Sequence, residues 1–269
     1  MTRLGALFCV ALTVMVLAVQ GASKASAQED RRRPTCIQLA GEMQPGQPDS
    51  KRYEAILALA ARGSAAACAI DPLRKATRDD TFTIRAAAVQ ALGKIGPRAI
   101  GALPDLVARW HDAEVDGGDI VAALHGLGPA AIRGLVPYLT AKRAFDEVAD
   151  GPHAIASRGL AAFGSQAVPA LTRALRRPAT RVAAVGALRQ IGSGAAPAVP
   201  SLVAAYDARD SDEWDRGAIL GALGAIGEGA CAARPLLERQ VVTERERLGS
   251  QSYEVQQIEA ILSKLSGCP

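Results

Sequence analysis

The side chains able to do chemistry are few, and their spacing argues against most reactions. His111, His125 and His153 are the only histidines in the 269 residues. They lie in three separate stretches and share no i, i+4 spacing, so a helical pair of metal ligands is not available. His125 closes an apolar run of helical period and reads as a packing residue. No G-x-S-x-G elbow, no phosphate-binding loop with its lysine, and no carboxylate pair facing a histidine occurs. The glycine run 224–229, GAIGEG, follows a helical stretch instead of a strand, so it reads as a helix C-cap and not as a phosphate cradle. These readings predict no catalytic, cofactor-binding or metal-binding residue.

Cysteine is the other chemical resource. Of the five, Cys9 sits in an N-terminal stretch with the marks of an export signal: Arg3, the apolar run Leu4 to Val19, and the small residues Ala25-Ser26-Ala27. Cleavage is expected after Ala27, giving a signal peptide over 1–27, a flexible arm over 28–34 and a single domain over 35–269. The apolar run falls short of the ~20 residues of a membrane span, and no other span is expected. Leu7-Phe8 before Cys9 offers no small residue for lipid attachment. Cys36, Cys68, Cys231 and Cys268 remain. An even number in an oxidising compartment, periplasmic or extracellular, suggests two disulfides. C-x-x-C is missing, which argues against thioredoxin-like exchange, a c-type haem and a zinc ribbon.

Composition sets the scaffold that must position these residues. Hydrophobic residues make up 49% and aromatics only 4%, so the core is built from Ala, Leu, Val and Ile, as closely packed helices are. Lys and Arg number 31 against 27 Asp and Glu, too even for a dedicated nucleic-acid binder.

The chain repeats. Gly63, Gly96, Gly128, Gly164, Gly192 and Gly227 each close an apolar helical run, at intervals of 33, 32, 36, 28 and 35 residues. A second helix comes after each turn, the first four over 65–78, 98–111, 130–143 and 165–177, with Pro72, Pro104, Pro137, Pro169, Pro200 or Pro235 in or near its first turn. Six helical hairpins cannot each bury an apolar face alone. Stacked, they make an all-α, right-handed solenoid with capping helices near 35–43 and 250–267. The pattern R-x-x-A…A-L-x-x-I-G…A-x-P-x-L, seen from Arg85 to Leu106 and from Arg181 to Leu202, resembles HEAT repeats, especially the short variety named after phycobilisome lyases. The resemblance implies a protein-binding scaffold. A lyase-like enzyme acting on a chromophore, another enzyme of unknown substrate, and an envelope-associated lipid-binding adaptor are the alternatives it leaves open.

Eleven residues before the marker glycine stand Arg52, Arg85, Arg181 and Arg216, with Gly117 and His153 in the third and fourth units. In HEAT-like repeats such an arginine implies a ladder to an aspartate of the neighbouring unit. Stacking also orders the cysteines: antiparallel terminal helices place Cys36 near Cys68 and Cys231 near Cys268. The first four second helices carry Arg74, Lys75, Arg78, Arg98, Arg109, Arg133, Lys142, Arg143, Arg173, Arg176 and Arg177 against Asp71 and Asp105. Many of these cations end a helix, where they also complement the macrodipole. The expected partner is a protein or peptide with an acidic surface, and no nucleic acid. Its site is expected at Arg109, Arg133, Lys142, Arg173 and Arg176. The acidic segments 112–119 and 144–152 read as solvated connections.

Overall fold

A computed structural model describes residues 34–109, 115–140 and 151–268. The expected signal peptide, most of the arm, His111 and Lys142 lie outside the described residues. Among the described residues fourteen α-helices run in order: α1 (Cys36–Glu42), α2 (Asp49–Ala61), α3 (Ile70–Ala76), α4 (Phe82–Ile95), α5 (Leu103–Ala108), α6 (Gly117–Gly126), α7 (Ala130–Leu135), α8 (Pro152–Ala162), α9 (Val168–Ala174), α10 (Pro178–Ile191), α11 (Val199–Tyr206), α12 (Glu213–Ile226), α13 (Arg234–Leu248) and α14 (Tyr253–Lys264). The first helices of successive units, α2, α4, α6, α8, α10 and α12, stack side by side as one layer. Among the described residues no helix is long and apolar enough to cross a membrane.

All six marker glycines adopt positive φ, from 53° at Gly63 to 81° at Gly96. An L side chain is strained there, which is why the same residue recurs at the same turn. Beyond the glycine the chain does not form one continuous second helix. In the first, second, fifth and sixth units a seven-residue 3-10 segment comes first (Gly63–Ala69, Gly96–Ala102, Gly192–Ala198, Gly227–Ala233), in the fourth a shorter one (Gly164–Ala167), and a separate α-helix then starts. Proline accounts for the break, since its ring clashes with the carbonyl four residues back and cannot sit inside a helix begun at the glycine. Instead Pro104, Pro169, Pro200 and Pro235 each occupy the second residue of a new helix, where no N–H is needed. The third unit inverts the order: α7 comes first and Pro137 lies in a 3-10 segment, Val136–Leu139.

One continuous core runs through the stack, with Leu59, Leu92, Leu124, Leu160, Leu188 and Leu223 at most marginally exposed. The tightest crossing joins α4 and α6. A Cβ on Gly126 would stand 2.4 Å from the Gly93 carbonyl oxygen, and one on Gly93 2.6 Å from the Ala123 Cα. Both ends are closed by an added helix. At the N-terminal end α1 buries Leu39 and Ala40, and Thr35 and Gln38 form a reciprocal capping box at its start. At the C-terminal end α14 buries Val255, Ile258 and Ile261 and turns Gln256, Glu259 and Ser263 to solvent, as a terminal repeat must. Cys36 and Cys68 stand with their Sγ atoms 1.97 Å apart, and Cys231 and Cys268 2.06 Å apart, one pair at each end of the stack.

Candidate functional site

Two sets of ion pairs link the units, and together they decide which cations are committed. The first runs along the arginine register. Arg52, buried in α2, bonds the Asp79 carboxylate of the next unit and Asp49 at 3.2 Å. Arg181, 2% exposed, donates to Asp215 Oδ2 and to Asp210 Oδ1, each at 2.8 Å, and to the Leu175 carbonyl at 3.2 Å. These carboxylates hold both guanidinium groups firmly in the charged form: Asp79 acts most strongly on Arg52, and Asp215 and Asp210 overcome the burial that opposes the charge of Arg181. Arg85 donates instead to the Asp79 and Asp80 carbonyls of its own loop, at 2.8 and 2.9 Å. The Arg216 guanidinium lies 5.6 Å above the Tyr206 ring. Gly117 and His153 occupy the register in α6 and α8. Of the acidic segment 112–119, Asp116 caps α6 through the Gly118 N–H at 2.9 Å, and Asp119 accepts a hydrogen bond from Gln90 at 3.0 Å. His125 is exposed and packs its ring 4.9 Å from that of Phe163.

The second set lies on the second-helix face. Asp105, third residue of α5 and 6% exposed, takes Arg74 Nε on Oδ2 at 2.6 Å and Arg78 Nη2 on Oδ1 at 2.7 Å. Arg74 and Arg78 sit one turn apart at the end of α3 and just beyond, so both reach the same carboxylate of the next unit. Two of the cations counted toward a basic face are thereby spent inside the protein. Arg109, half-buried, lies just past the end of α5, away from the remaining candidates.

Further along, the picture reverses. Arg133 from α7, Arg173 from the end of α9 and Arg177, the residue before α10, line one groove of about 530 Å³, floored by Val136, Pro137, Ala170 and Ala174. Among the described residues no ion pair reaches any of these three guanidinium groups. Thr180, at the groove edge, spends its hydroxyl on the Ala174 carbonyl at 2.7 Å. Arg176 points into the adjoining groove of about 390 Å³, with Pro200, Ser201, Ala204 and Asp210. The fold therefore brings Arg133 and Arg173 together, puts Arg176 one interval on and leaves Arg109 apart. Arg177, counted among the basic residues but not expected in the site, completes the cluster; its i, i+4 spacing from Arg173 was the available signal. Arginine stays charged at any accessible pH and offers a planar fork of donors, chemistry that suits carboxylates and related oxyanions.

Comparison with known proteins gives a family for the N-terminal part of the stack. Residues 38–125 match the model of HEAT repeats. Similar solved structures include a chain from work on a phosphorylation switch that controls the interaction between cadherin and beta-catenin, at 17% identity and TM-score 0.38 over 84% of this chain and 52% of that one. The protein thus spans about half of that chain. Others are an engineered protein, at 19% identity and TM-score 0.35 over 86% of this chain and 96% of that one, and a designed armadillo repeat protein, at 20% identity and TM-score 0.37 over 85% and 99%. No curated protein matches. Residues 38–125 match the repeat model, and among the described residues the same glycine-turned hairpin recurs from Gly63 to Gly227 as an all-α solenoid.

Proposed function

We propose that the protein is an exported, non-catalytic scaffold that holds an acidic segment of a partner protein against its second-helix face, at the groove of Arg133, Arg173 and Arg177. One observation carries this reading: three arginines from two successive units line a groove in which, among the described residues, no carboxylate stands. Keeping like charges together costs free energy unless an anion joins them, and a partner's Asp or Glu side chains supply it. A stacked solenoid adds a long surface against which an extended segment can lie. Export is supported by the leader-like run before Ala27 and by two cysteine pairs at bonding distance, since disulfides persist where the surroundings oxidise.

The test is fluorescence anisotropy with a labelled aspartate-glycine repeat peptide and its asparagine-glycine counterpart. Expected is tighter binding of the acidic peptide by about tenfold or more at low salt, a difference that shrinks as salt shortens the screening length. Arg133→Glu/Arg173→Glu/Arg177→Glu should abolish the preference with the helical circular dichroism unchanged. Equal binding by this variant would overturn the reading.

A further inference from the structure

The prolines give four of the six units a common register on the second-helix face. Four helices start with the same local phrase: Leu103-Pro104-Asp105 in α5, Val168-Pro169-Ala170 in α9, Val199-Pro200-Ser201 in α11 and Arg234-Pro235-Leu236 in α13. The third residue therefore holds an equivalent place in each, facing the second helix of the preceding unit. In α5 it is a carboxylate that the preceding unit's Arg74 and Arg78 both grip, one oxygen each. In α9 it is a methyl group. Ala170 is as buried as Asp105, at 6% exposed, and it floors the arginine groove. Arg133 comes to that groove from the preceding unit, from α7 ahead of Pro137, whereas Arg74 and Arg78 come to Asp105 from the end of α3 and just beyond it. Arg173 stands three residues after Ala170 on the same face of α9, and Arg177, just before α10, lines the groove beside it.

We propose that Asp105 is the protein's own stand-in for a partner carboxylate, and that the residue at this third helix position sets where along the solenoid an acidic partner docks. The proposal rests on the acidic-partner reading and adds its register and ligand class. The interval between α3 and α5 is closed because Asp105 occupies it from within. Among the described residues the interval between the third and fourth units holds no carboxylate: Ala170 offers the arginines nothing, which leaves room for a side-chain carboxylate to arrive from outside. The Arg74–Asp105–Arg78 fork shows the geometry such a carboxylate adopts: buried, with each oxygen taking a charged N–H at about 2.6 to 2.7 Å.

The experiment moves the carboxylate. Ala170→Asp should fill the open site from within and weaken the aspartate-glycine peptide by about tenfold or more. Ala170→Asn, of the same size without the charge, should keep binding close to that of the unaltered protein. Asp105→Ala should release Arg74 and Arg78 and raise the peptide stoichiometry from one to two per chain. Asp105→Asn, which keeps hydrogen-bonding atoms in place, gives the same readout should the alanine variant fail to fold. Circular dichroism and thermal melts report folding for each. A peptide that ignores the unaltered protein, or binds Arg133→Glu/Arg173→Glu/Arg177→Glu equally well, removes the acidic-partner reading itself. If the unaltered protein binds but Ala170→Asp binds as tightly, or Ala170→Asn loses as much as Ala170→Asp, or neither Asp105 variant gains an equivalent, only the register proposal fails.

Discussion

The interval between α3 and α5 and the interval between α7 and α9 carry similar cations in opposite states. At the first, Arg74 and Arg78 close over Asp105 and the charges are settled inside the molecule. At the second, Arg133, Arg173 and Arg177 line a groove with Ala170 where the aspartate would be. Counting basic residues along the second helices treats the two as one surface. The lesson is that charge along a repeat protein stays unneutralised only where the stack withholds its own counter-charge, and one side chain per interval decides that.

The comparison is sharpened most by a third place, where commitment is deepest. Arg181 and Asp215 have side chains only 2% and 0% exposed, so Arg181→Ala takes from a buried carboxylate the charge that faces it. A loss of about 3–5 kcal/mol is expected, read as a large drop in the denaturation midpoint. A loss below about 1 kcal/mol would mean that this rung does not hold the fifth and sixth units together.

Next in size come the two intervals themselves. Arg74 and Arg78 keep 40% and 65% of their side-chain surface in water, so they hydrate when Asp105 is removed, and Asp105→Ala should cost about 1 kcal/mol. Replacing Arg133, Arg173 and Arg177 together by alanine removes no described ion pair, and stability should stay within about 0.5 kcal/mol of the original. Urea titration of both variants measures the contrast. Equal losses would erase the distinction between a closed and an open interval.

The smallest effect is at the C-terminal cap, where the imbalance has the other sign. Glu254 in α14 and the buried Glu244 in α13 share Arg247, at 3.7 and 2.7 Å. Burial, and then Glu244, push the Glu254 carboxyl above its ordinary 4.5; Arg247 and Arg216 oppose the shift, and Glu213 in α12 adds to it. A carboxyl whose pKa is raised on folding favours the folded state when protonated. Its contribution is present in full below pH 4.5 and is lost as pH rises through the higher folded value. Glu254→Gln should therefore leave stability at acid pH unchanged and raise it slightly at neutral pH, in melts across that range. A neutral-pH loss instead would show that Arg247 outweighs burial.

Much of the fold was legible because its signals are local. A glycine is needed wherever φ is positive, so the six marker glycines announce six turns, and helical periodicity on either side announces the hairpins. Proline position was equally readable, although its consequence was not. The 3-10 segments that precede the new helices arise from the clash that Pro104 and its counterparts would make inside a longer one. The candidate site was legible only as composition. Arg133 and Arg173 are visible as cations, but nothing along the chain distinguishes them from Arg74 and Arg78, which are spent.

By itself, then, the amino-acid sequence determined the hairpins, the order of their stacking and the approach of the terminal cysteines, because each depends on residues within one unit or its neighbour. Only the tertiary structure decided which arginines are free to act. Asp105 lies 31 residues from Arg74 and 27 from Arg78, and a carboxylate neutralises a guanidinium only within a few ångströms. Stacking supplies that proximity at one interval and, through the methyl group of Ala170, leaves it unmet at another.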